Sequence, residues 1–531
     1  MPTHGSESYY VIGEGLLSES VGGREAEDPP TTASARRGSA GPAAATPPFR
    51  FSRLGPKGVN KQLGEPNRKK IGGAMAVSGG GQSQVPAGFT YLGQFIDHDL
   101  TFDKTSVMLG ANVTPAQLLQ GRSPALDLDS LYGAGPADPG SAKFFEADGL
   151  HLKVGKSTGP TKVGFDLPRG AGNTNAKKRK AIIPDPRNDE NLAVAQHHCA
   201  MIRFHNRVVD TQLGSVPAAQ KFAKAREIVT KHYQWMVRTD YLPRICRPNA
   251  VDNVFNSGRK VFEVGATPTD VPTMPIEFSI AGFRLGHSMI RAAYNWDKIF
   301  DGGSGTLDFL FTFSATSGDL GGLPRLPSNW IADWRRLYDF GEAGRANLTV
   351  PAAKFNRAKA IDTHLVDPLK NLRPKSFGGS GIPAGDPRRN LAFRNLTRAR
   401  MVRLATGQQM ATFMKSRGVN FPKLSKAQIR DGKNGVVLVG LNQKQRTALL
   451  KDTPLWFYVL REAEFNGGKL RGVGARIVAE TFHRAIEGSQ FSIVRDPAWR
   501  PTLGPNSTTF RMVDLLLFAF EGKKTLLAPV G

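Results

Sequence analysis

The chain has 531 residues, 40% of them hydrophobic, and its 71 basic and 45 acidic residues give a net charge of +26. This length allows a large core, and no apolar run reaches the roughly 18 to 20 residues of a membrane-spanning helix. Only two cysteines are present, Cys199 and Cys246, which argues against a disulfide framework and a zinc cluster. The first fifteen residues lack a basic start followed by an apolar stretch, so we expect a cytoplasmic protein or export by a signal-independent route.

The positive charge indicates an anionic partner, such as nucleic acid or an anionic surface. The charge is thinly spread, and its one dense run, at 177–180 (KKRK), is predicted to be an exposed loop. Because no nucleic-acid-binding motif accompanies this run, we expect no specific nucleic-acid partner. Contact with anionic cell surfaces through the basic patches stays open as an alternative. So does a non-enzymatic basic binding protein that uses residues 24–60 and 175–180.

The organisation along the chain predicts an N-terminal arm and one large domain. Residues 22–48 are rich in Ala, Pro, Gly, Ser and Thr and cannot bury enough apolar surface to offset the cost of ordering. We therefore predict that residues 1–48 form a surface-draped or partly disordered arm and that residues 49–531 form the domain. Gly- and Pro-rich connections are expected at 301–328 and 373–388.

Helical patterns dominate this domain. Besides the segment around 93–102, an apolar period near 3.6 predicts helices at 190–214, 217–238, 276–292, 388–406, 408–417, 453–464 and 472–487. Strand patterns are scarce, with candidates only at 261–264 and 436–439. The predicted fold is mainly α: a single large helical domain with long loops and very little β.

The most informative segment is 93–102 (GQFIDHDLTF), where His98 stands between Asp97 and Asp99 on an apolar helical pattern. Burial of this polar triplet is costly unless its charges are compensated. The end of this helix therefore lies either at the surface or in a functional site.

Two further segments carry polar residues that a plain helical core would not select. In 185–190 (DPRNDE), a proline before acidic residues indicates a helix start, and Arg187 and Glu190 share a face; a helix-start salt bridge is the alternative. In 283–289 (FRLGHSM), Gly286 beside His287 predicts that something bulky approaches the backbone, because glycine inside a helix costs about 0.5–1 kcal/mol. A core histidine is the alternative there.

A third segment, 123–133 (SPALDLDSLYG), is rich in oxygen donors. The side chains of Ser123, Asp127 and Asp129 and the carbonyl of Ala125 alternate around a turn, which suits a hard cation such as calcium. The spacing is not that of an EF-hand, and a polar turn is the alternative.

Together these segments resemble the animal-type (myeloperoxidase-like) haem peroxidase superfamily, in particular its bacterial members. The resemblance spans about 49–525 and keeps the order of the family's segments. It includes the LDLDSLYG loop, the DPRNDENL…RFHNR segment, the FRLGHSMIR helix and the segments at 394–398, 453–456 and 474–480.

The resemblance implies a role for each matching residue. His98 would be the distal histidine, Arg187 the distal arginine, and Gln94 would help to position peroxide or halide. The other implied roles are ester links from Asp97 and Glu190 to haem b, His287 as proximal iron ligand bonded to Asn395, Arg284 and Arg398 near the propionates, and calcium held by Asp99, Ser123, Ala125, Asp127 and Asp129.

The implied activity is a haem-dependent peroxidase that uses hydrogen peroxide to oxidise bromide, iodide, thiocyanate or small aromatic donors through a ferryl intermediate, with a role in the response to oxidative stress. Asn191 replaces the methionine that gives the family's namesake enzyme a third haem link, so chloride oxidation is not expected. Asp129 replaces a serine and adds a charge to the calcium site.

Two other enzyme classes are weighed against this interpretation. A fatty-acid dioxygenase of the same superfamily would need a tyrosine three residues before the proximal histidine, where this chain has Arg284. A glycine-loop nucleotide enzyme would need a third glycine and a preceding strand at 472–474, and both are missing.

Overall fold

The computed structural model describes residues 8–11, 15–18, 49–59, 63–103, 109–159, 164–376, 381–433, 435–436, 438 and 440–531. The predicted arm at 1–48 therefore lies almost entirely outside the described residues. Helices account for 48% of the structure and strands for 8%, which confirms the mainly α class. None of the described helices is both long and apolar enough to span a bilayer.

The α-helices of the described residues are α1 (Glu65–Met75), α2 (Gly88–Leu100), α3 (Asp129–Tyr132), α4 (Asn175–Arg179), α5 (Leu192–Gln212), α6 (Lys221–Met236), α7 (Leu242–Ile245), α8 (Pro248–Ser257), α9 (Gly286–Met289), α10 (Leu307–Thr312), α11 (Leu391–Met401), α12 (Gly407–Ser416), α13 (Lys426–Asp431), α14 (Gln443–Lys451), α15 (Leu455–Glu464), α16 (Gly472–Glu487), α17 (Met512–Ala519) and α18 (Lys524–Leu527).

Short strands pair two by two. The antiparallel pairs are β1 (Ser8–Val11) with β2 (Gly15–Ser18), β4 (Gln82–Pro86) with β10 (Arg357–Lys359), β5 (Gly155–Lys156) with β6 (Phe165–Asp166), and β8 (Ala293–Tyr294) with β9 (Gly305–Thr306). The parallel pair is β3 (Phe51–Ser52) with β7 (Met274–Pro275).

The core is built around α2 and α5, which pack against each other. Every residue of α2 is buried, and α5 also packs against α6 and α17. The predicted helix at 190–214 begins at Leu192 because Asn191 caps it: the Asn191 side chain accepts a hydrogen bond of 3.0 Å from the Val194 amide. This start separates α5 from the turn that carries Arg187.

The predicted continuous helix at 276–292 is wrong. The chain forms one π-helical turn, Phe278–Gly282, then bends and forms the short helix α9, which ends where Ile290 becomes extended. Gly282 lets this turn pack tightly, because a Cβ there would lie 2.9 Å from Ile477 Cγ2. The break brings His287 onto its own short helix.

Both strand predictions fail for the residues that are described. The backbone amides of Val261 and Phe262 donate to the Glu480 carboxylate instead of to a neighbouring strand. The Val436 amide donates to Thr363 Oγ1, and residues 437 and 439 lie outside the described residues.

The predicted loop at 177–180 is largely helical. Thr174 caps α4, its hydroxyl accepting a hydrogen bond from the Lys177 amide. No residue of α4 is buried. Lys177 and Lys180 are exposed, whereas Lys178 and Arg179 are half-buried, so the predicted exposure of the basic run is confirmed in part.

Candidate active site

The central helix α2 carries Asp97, His98 and Asp99 into the interior, where they are 9%, 1% and 0% exposed. Of the two sequence-based alternatives, a surface position is therefore excluded. The three side chains have different surroundings: Asp97 lines a cavity, His98 bonds to Asn188, and Asp99 bonds to the start of α3.

A cavity that is partly open to solvent lies between α2 and α9, and clefts between helices are common places for small-molecule sites. Its lining combines aromatic rings with a few polar groups. The lining residues are Thr90, Tyr91, Gly93, Gln94, Asp97, Tyr241, Phe283, Arg284, Gly286, His287 and Ile290.

His287 is oriented by a hydrogen-bonded chain. Its Nδ1 lies 2.9 Å from Nδ2 of Asn395, and Oδ1 of Asn395 accepts a bond of 2.5 Å from Nη1 of Arg284. Because a guanidinium only donates, Arg284 fixes the amide with its nitrogen toward His287. Nδ1 of His287 is then the acceptor, so the neutral ring carries its proton on Nε2. A metal bound at Nε2 would move that proton to Nδ1, and the Asn395 amide would have to turn over in order to accept it.

None of the described residues places a bulky group against the backbone at Gly286. A Cβ at Gly286 would meet no described atom within 4 Å, and the glycine borders the cavity. The space there is available to a ligand.

Arg187 is held by Asp185, two residues before it. In the 3₁₀ turn Pro186–Asp189, Arg187 Nε and Nη2 donate to the two Asp185 oxygens at 3.0 and 2.7 Å. Arg187 Nη2 also donates to the carbonyl of His98 at 2.9 Å. Burial would raise the pKa of Asp185, but Arg187 and Arg122 hold it well below its usual range. Arg187 is thus a fixed positive charge beside His98.

Glu190 stands between the cavity residue Gln94 and His98. Gln94 Nε2 donates to Glu190 Oε1, and Gln94 Oε1 accepts a bond of 2.9 Å from Asn191. His98 Nε2 lies 4.0 Å from Glu190 Oε1. Burial raises the pKa of Glu190 to about 8 and lowers that of His98 to about 3, so both are neutral at pH 7 and form no ion pair.

Asp97 contributes a second perturbed carboxyl group, at the cavity wall. Its Oδ1 accepts a hydrogen bond of 3.2 Å from the hydroxyl of Thr101. Burial raises the pKa of Asp97 to about 6, against the attraction of Arg187 and Arg284. A buried carboxyl group that is partly protonated near neutral pH is typical of a functional site.

The two arginines expected near haem propionates differ in position. Arg284 lines the cavity. Arg398 does not: its guanidinium pairs with Asp103, 295 positions away in the chain. The predicted contact of Arg398 with a ligand is therefore unsupported by its present position.

The predicted calcium ligands are bonded to protein groups instead. Asp99 Oδ1 accepts from the amide and the hydroxyl of Ser130 at 3.1 and 3.0 Å, and Oδ2 accepts from the Leu128 amide at 3.1 Å. Leu128 has a φ of +60°, in the left-handed region, which helps to turn these amides toward Asp99. Asp127 accepts from Ser489 Oγ at 2.5 Å and from the Gln490 amide at 2.9 Å.

The remaining donors are also engaged. Arg226 Nη2 lies 3.3 Å from Asp129 Oδ1, the Ser123 hydroxyl accepts from the Ala125 amide, and the Ala125 carbonyl accepts from the Asp127 amide. Within the described residues, no three His, Cys, Asp or Glu side chains are arranged to hold a metal ion. The loop therefore does not fit the predicted calcium site, because backbone amides and a guanidinium already serve its carboxylates.

The structure brings to the site several residues that the sequence did not reveal. Asp185, Arg122 and Asn188 fix the groups around His98. Tyr241 lines the cavity, and a Cβ at Gly93 would collide with its hydroxyl. The glycine inside the apolar pattern of α2 was the available signal for this close approach.

Comparison with known families gives a partial sequence match. The family model described as "Animal haem peroxidase" matches residues 103–308, a segment that contains Arg187, Glu190, Arg284 and His287 but not α2. Mouse thyroid peroxidase is 29% identical over 188 residues, and Caenorhabditis elegans heme peroxidase 2 is 25% identical over 175. These matches cover 33% and 31% of this chain and 20% and 23% of the relatives' own length.

Comparison with solved structures covers most of the chain. Peroxidase A from Dictyostelium discoideum aligns with a TM-score of 0.57 at 15% identity, over 88% of this chain and 92% of that chain. The fatty acid alpha-dioxygenase of Arabidopsis thaliana aligns with a TM-score of 0.52 at 11% identity, over 88% and 75%. At these identities the likeness concerns the fold alone.

Proposed function

We propose that this chain, which belongs to the animal-type haem peroxidase superfamily, is a haem-dependent enzyme that reduces hydrogen peroxide and oxidises a small donor. One observation carries the proposal: His287 on α9 and Gln94 and Asp97 on α2 line the same cavity, next to buried His98 and Arg187. In a haem peroxidase, the residue that binds the iron and the residues that bind peroxide and transfer its proton would have to lie this close together.

The cavity residues fit a haem. Glu190 Oε2 is buried and has no hydrogen-bond partner among the described residues, and Asp97 lies at the cavity wall. In the proposal His287 would bind the iron once the Asn395 amide has turned over, Arg284 would contact a propionate, and Asp97 and Glu190 would form the ester links. When bound, haem supplies an iron centre for peroxide and stores its oxidising equivalents. Calcium is left out, because the loop at 123–130 does not fit it.

The side chains around His98 supply the acid–base chemistry. Burial keeps His98 neutral at pH 7, so its Nε2 can accept a proton from peroxide and return it to the departing oxygen. Arg187, fixed by Asp185, stabilises the negative charge that develops as the O–O bond separates. Gln94, held by Glu190 and Asn191, is placed to orient the small reactant.

The donors proposed are bromide, iodide, thiocyanate or small phenols. The surplus of 26 positive charges favours the approach of anions. Contact with anionic cell surfaces stays a prediction. Asn191 caps α5 and bonds to Gln94, so it provides no third haem link and chloride is not included. A fatty-acid dioxygenase is disfavoured, because Arg284 stands three residues before His287 and is bonded to Asn395.

A haem-binding titration tests the proposal. The purified protein, supplied with haem, is expected to show a Soret band and to oxidise iodide and a phenol with hydrogen peroxide. H287A should lose the band, whereas H364Q, which alters a histidine outside the cavity, should keep it. Absence of haem binding by the unsubstituted protein would refute the proposal, and oxygen uptake with a fatty acid would favour the dioxygenase instead.

The ester links have a separate readout. After reaction with peroxide, haem should remain on the protein in a denaturing gel, with less retained in D97N or E190Q and none in the double variant. Complete extraction of haem from the unsubstituted protein would remove the links from the proposal while leaving haem binding intact.

A further inference from the structure

A buried chain of hydrogen bonds joins His98 to a second histidine through one amide. His98 Nδ1 lies 2.9 Å from Oδ1 of Asn188, and Asn188 Nδ2 lies 2.9 Å from Nδ1 of His198. All three residues are at most 1% exposed. They come from α2, the 3₁₀ turn Pro186–Asp189 and α5, so tertiary packing holds them together.

The donors and acceptors of this chain assign the ring protons. An amide oxygen accepts and an amide nitrogen donates. His98 therefore carries its proton on Nδ1 and donates it to Asn188, while His198 accepts at Nδ1 and carries its proton on Nε2. Burial lowers the pKa of both rings to about 3, so each is neutral at pH 7 and holds one proton.

This arrangement leaves the lone pair of His98 on Nε2. No described residue forms a hydrogen bond with that nitrogen. If the amide of Asn188 were reversed, its nitrogen would face Nδ1 of His98 and the ring proton would move to Nε2, which could then donate but not accept. The orientation of one amide thus decides whether His98 can act as a base.

We propose that Asn188 and His198 are positioning residues that hold His98 in the tautomer with a proton on Nδ1 and a basic Nε2. His198 acts through Asn188: it accepts from the amide nitrogen and thereby keeps the amide oxygen turned toward His98. The catalytic consequence rests on the proposed function, whereas the tautomer is a property of the protein itself.

The proton balance of the step is simple. When His98 Nε2 accepts a proton from hydrogen peroxide, one O–H bond breaks and one N–H bond forms, and Nδ1 keeps its proton. Asn188 Oδ1 then stabilises the imidazolium, and this same contact raises the pKa of His98 against the larger effect of burial. Return of the Nε2 proton to the departing oxygen restores the starting tautomer.

Nuclear magnetic resonance of the haem-free protein with ¹⁵N-labelled histidine reads the tautomers directly. We expect the proton on Nδ1 of His98 and on Nε2 of His198, with signals assigned through H98F and H198F. In N188D the carboxylate accepts from both rings, so His98 should keep its tautomer while His198 moves its proton to Nδ1. In N188L the preference of His98 should be lost.

Two variants separate the amide's role from local damage. H198F removes the acceptor for the amide nitrogen without altering the turn Pro186–Asp189, and should weaken the tautomer preference of His98 as N188L does. H197F is the control: His197, the neighbour of His198 in the chain, bonds to Tyr338 and to the carbonyl of Ala193, so the loss of His197 should leave the His98 tautomer unchanged.

The haem-loaded variants give a second readout. N188L should react with peroxide about 10- to 100-fold more slowly, as expected for loss of an outer partner of a reactive histidine. N188D should retain most of the rate and shift the pH profile upward, because a carboxylate favours the imidazolium. A purely structural role of Asn188 would not produce this shift.

A proton on Nε2 of His98 in the unsubstituted protein would overturn the proposal, as would N188L with unchanged tautomer and rate. If the tautomers are as expected but the protein does not react with peroxide, the proposed function fails and the positioning of His98 is still supported.

Discussion

At the scale of single residues, Glu190 links the geometry of the site to stability. Its pKa is raised to about 8 in the folded chain by burial, from an ordinary value of 4.5. Between these values the unfolded state loses the proton and the folded state keeps it, so the contribution of Glu190 to stability falls as pH rises from 4.5 to 8. The expected loss is roughly a few kcal/mol across this interval.

E190Q should remove this dependence. In urea unfolding of the haem-free protein, the free energy of unfolding of the unsubstituted chain should fall relative to E190Q between about pH 5 and 8. E227Q is the control, because the pKa of Glu227 is shifted in the opposite direction. Burial raises the pKa of Glu227, but hydrogen bonds from Lys224 and Lys231 lower it overall, so its contribution to stability should rise with pH. Parallel curves for E190Q and the unsubstituted chain would contradict the assigned shift.

At the scale of elements, α6 supplies the cation of the loop at 123–130. Arg226 Nη2 contacts Asp129 and the carbonyl of Asp127, both buried. R226M would leave Asp129 without its partner, and loss of one member of a buried ion pair costs about 3–5 kcal/mol. K224M, at an exposed position of the same helix, should change stability by less than about 0.5 kcal/mol.

Removal of calcium with EDTA tests whether the loop at 123–130 binds this ion. Because protein groups already bond the carboxylates of this loop, EDTA should leave the melting temperature of the unsubstituted protein unchanged. A fall of several degrees with EDTA, restored by calcium, would show that the loop binds the ion after all and that its contacts rearrange to do so.

The elements also show what sequence patterns can predict. Apolar periodicity located α5, α15 and α16 to within two or three residues, because each buries a broad face in the core. It missed α14, whose only buried residue is Leu449 and whose start is set by the Asn442 cap. A helix that is started by a capping residue and buries only one side chain shows no apolar periodicity in its sequence.

For the site, local motifs drew attention to His98, Arg187, Glu190 and His287, and the family resemblance supplied Asn395 as the partner of His287. Most of the other partners in and around the site could not be predicted. Asp103 neutralises Arg398 and Arg226 neutralises Asp129 across long separations in the chain, so no spacing rule could pair them. The calcium prediction lacks support for this reason: the oxygen pattern at 123–129 is visible in the sequence, whereas several donors that bond to it come from other elements.

At the scale of the whole molecule, the net charge of +26 should favour anionic donors. The Debye length falls from about 30 Å at 0.01 M to about 8 Å at 0.15 M salt. We therefore expect kcat/KM for iodide to fall severalfold over this range and kcat/KM for a neutral phenol to change little. An equal salt dependence for both donors would show that the surface charge does not guide the donor.

Two π-helical turns, Val237–Tyr241 and Phe278–Gly282, adjoin the cavity. Each holds one residue more than an α-helical turn of the same rise, and Tyr241 and Phe283, at or just after these turns, reach the cavity wall. Deletion of one residue from either turn would restore α-helical winding and rotate the next segment of the chain by about 100°. The shape of the cavity is therefore encoded in the number of residues in these segments, and a single-codon deletion there would alter it more than most substitutions of the lining.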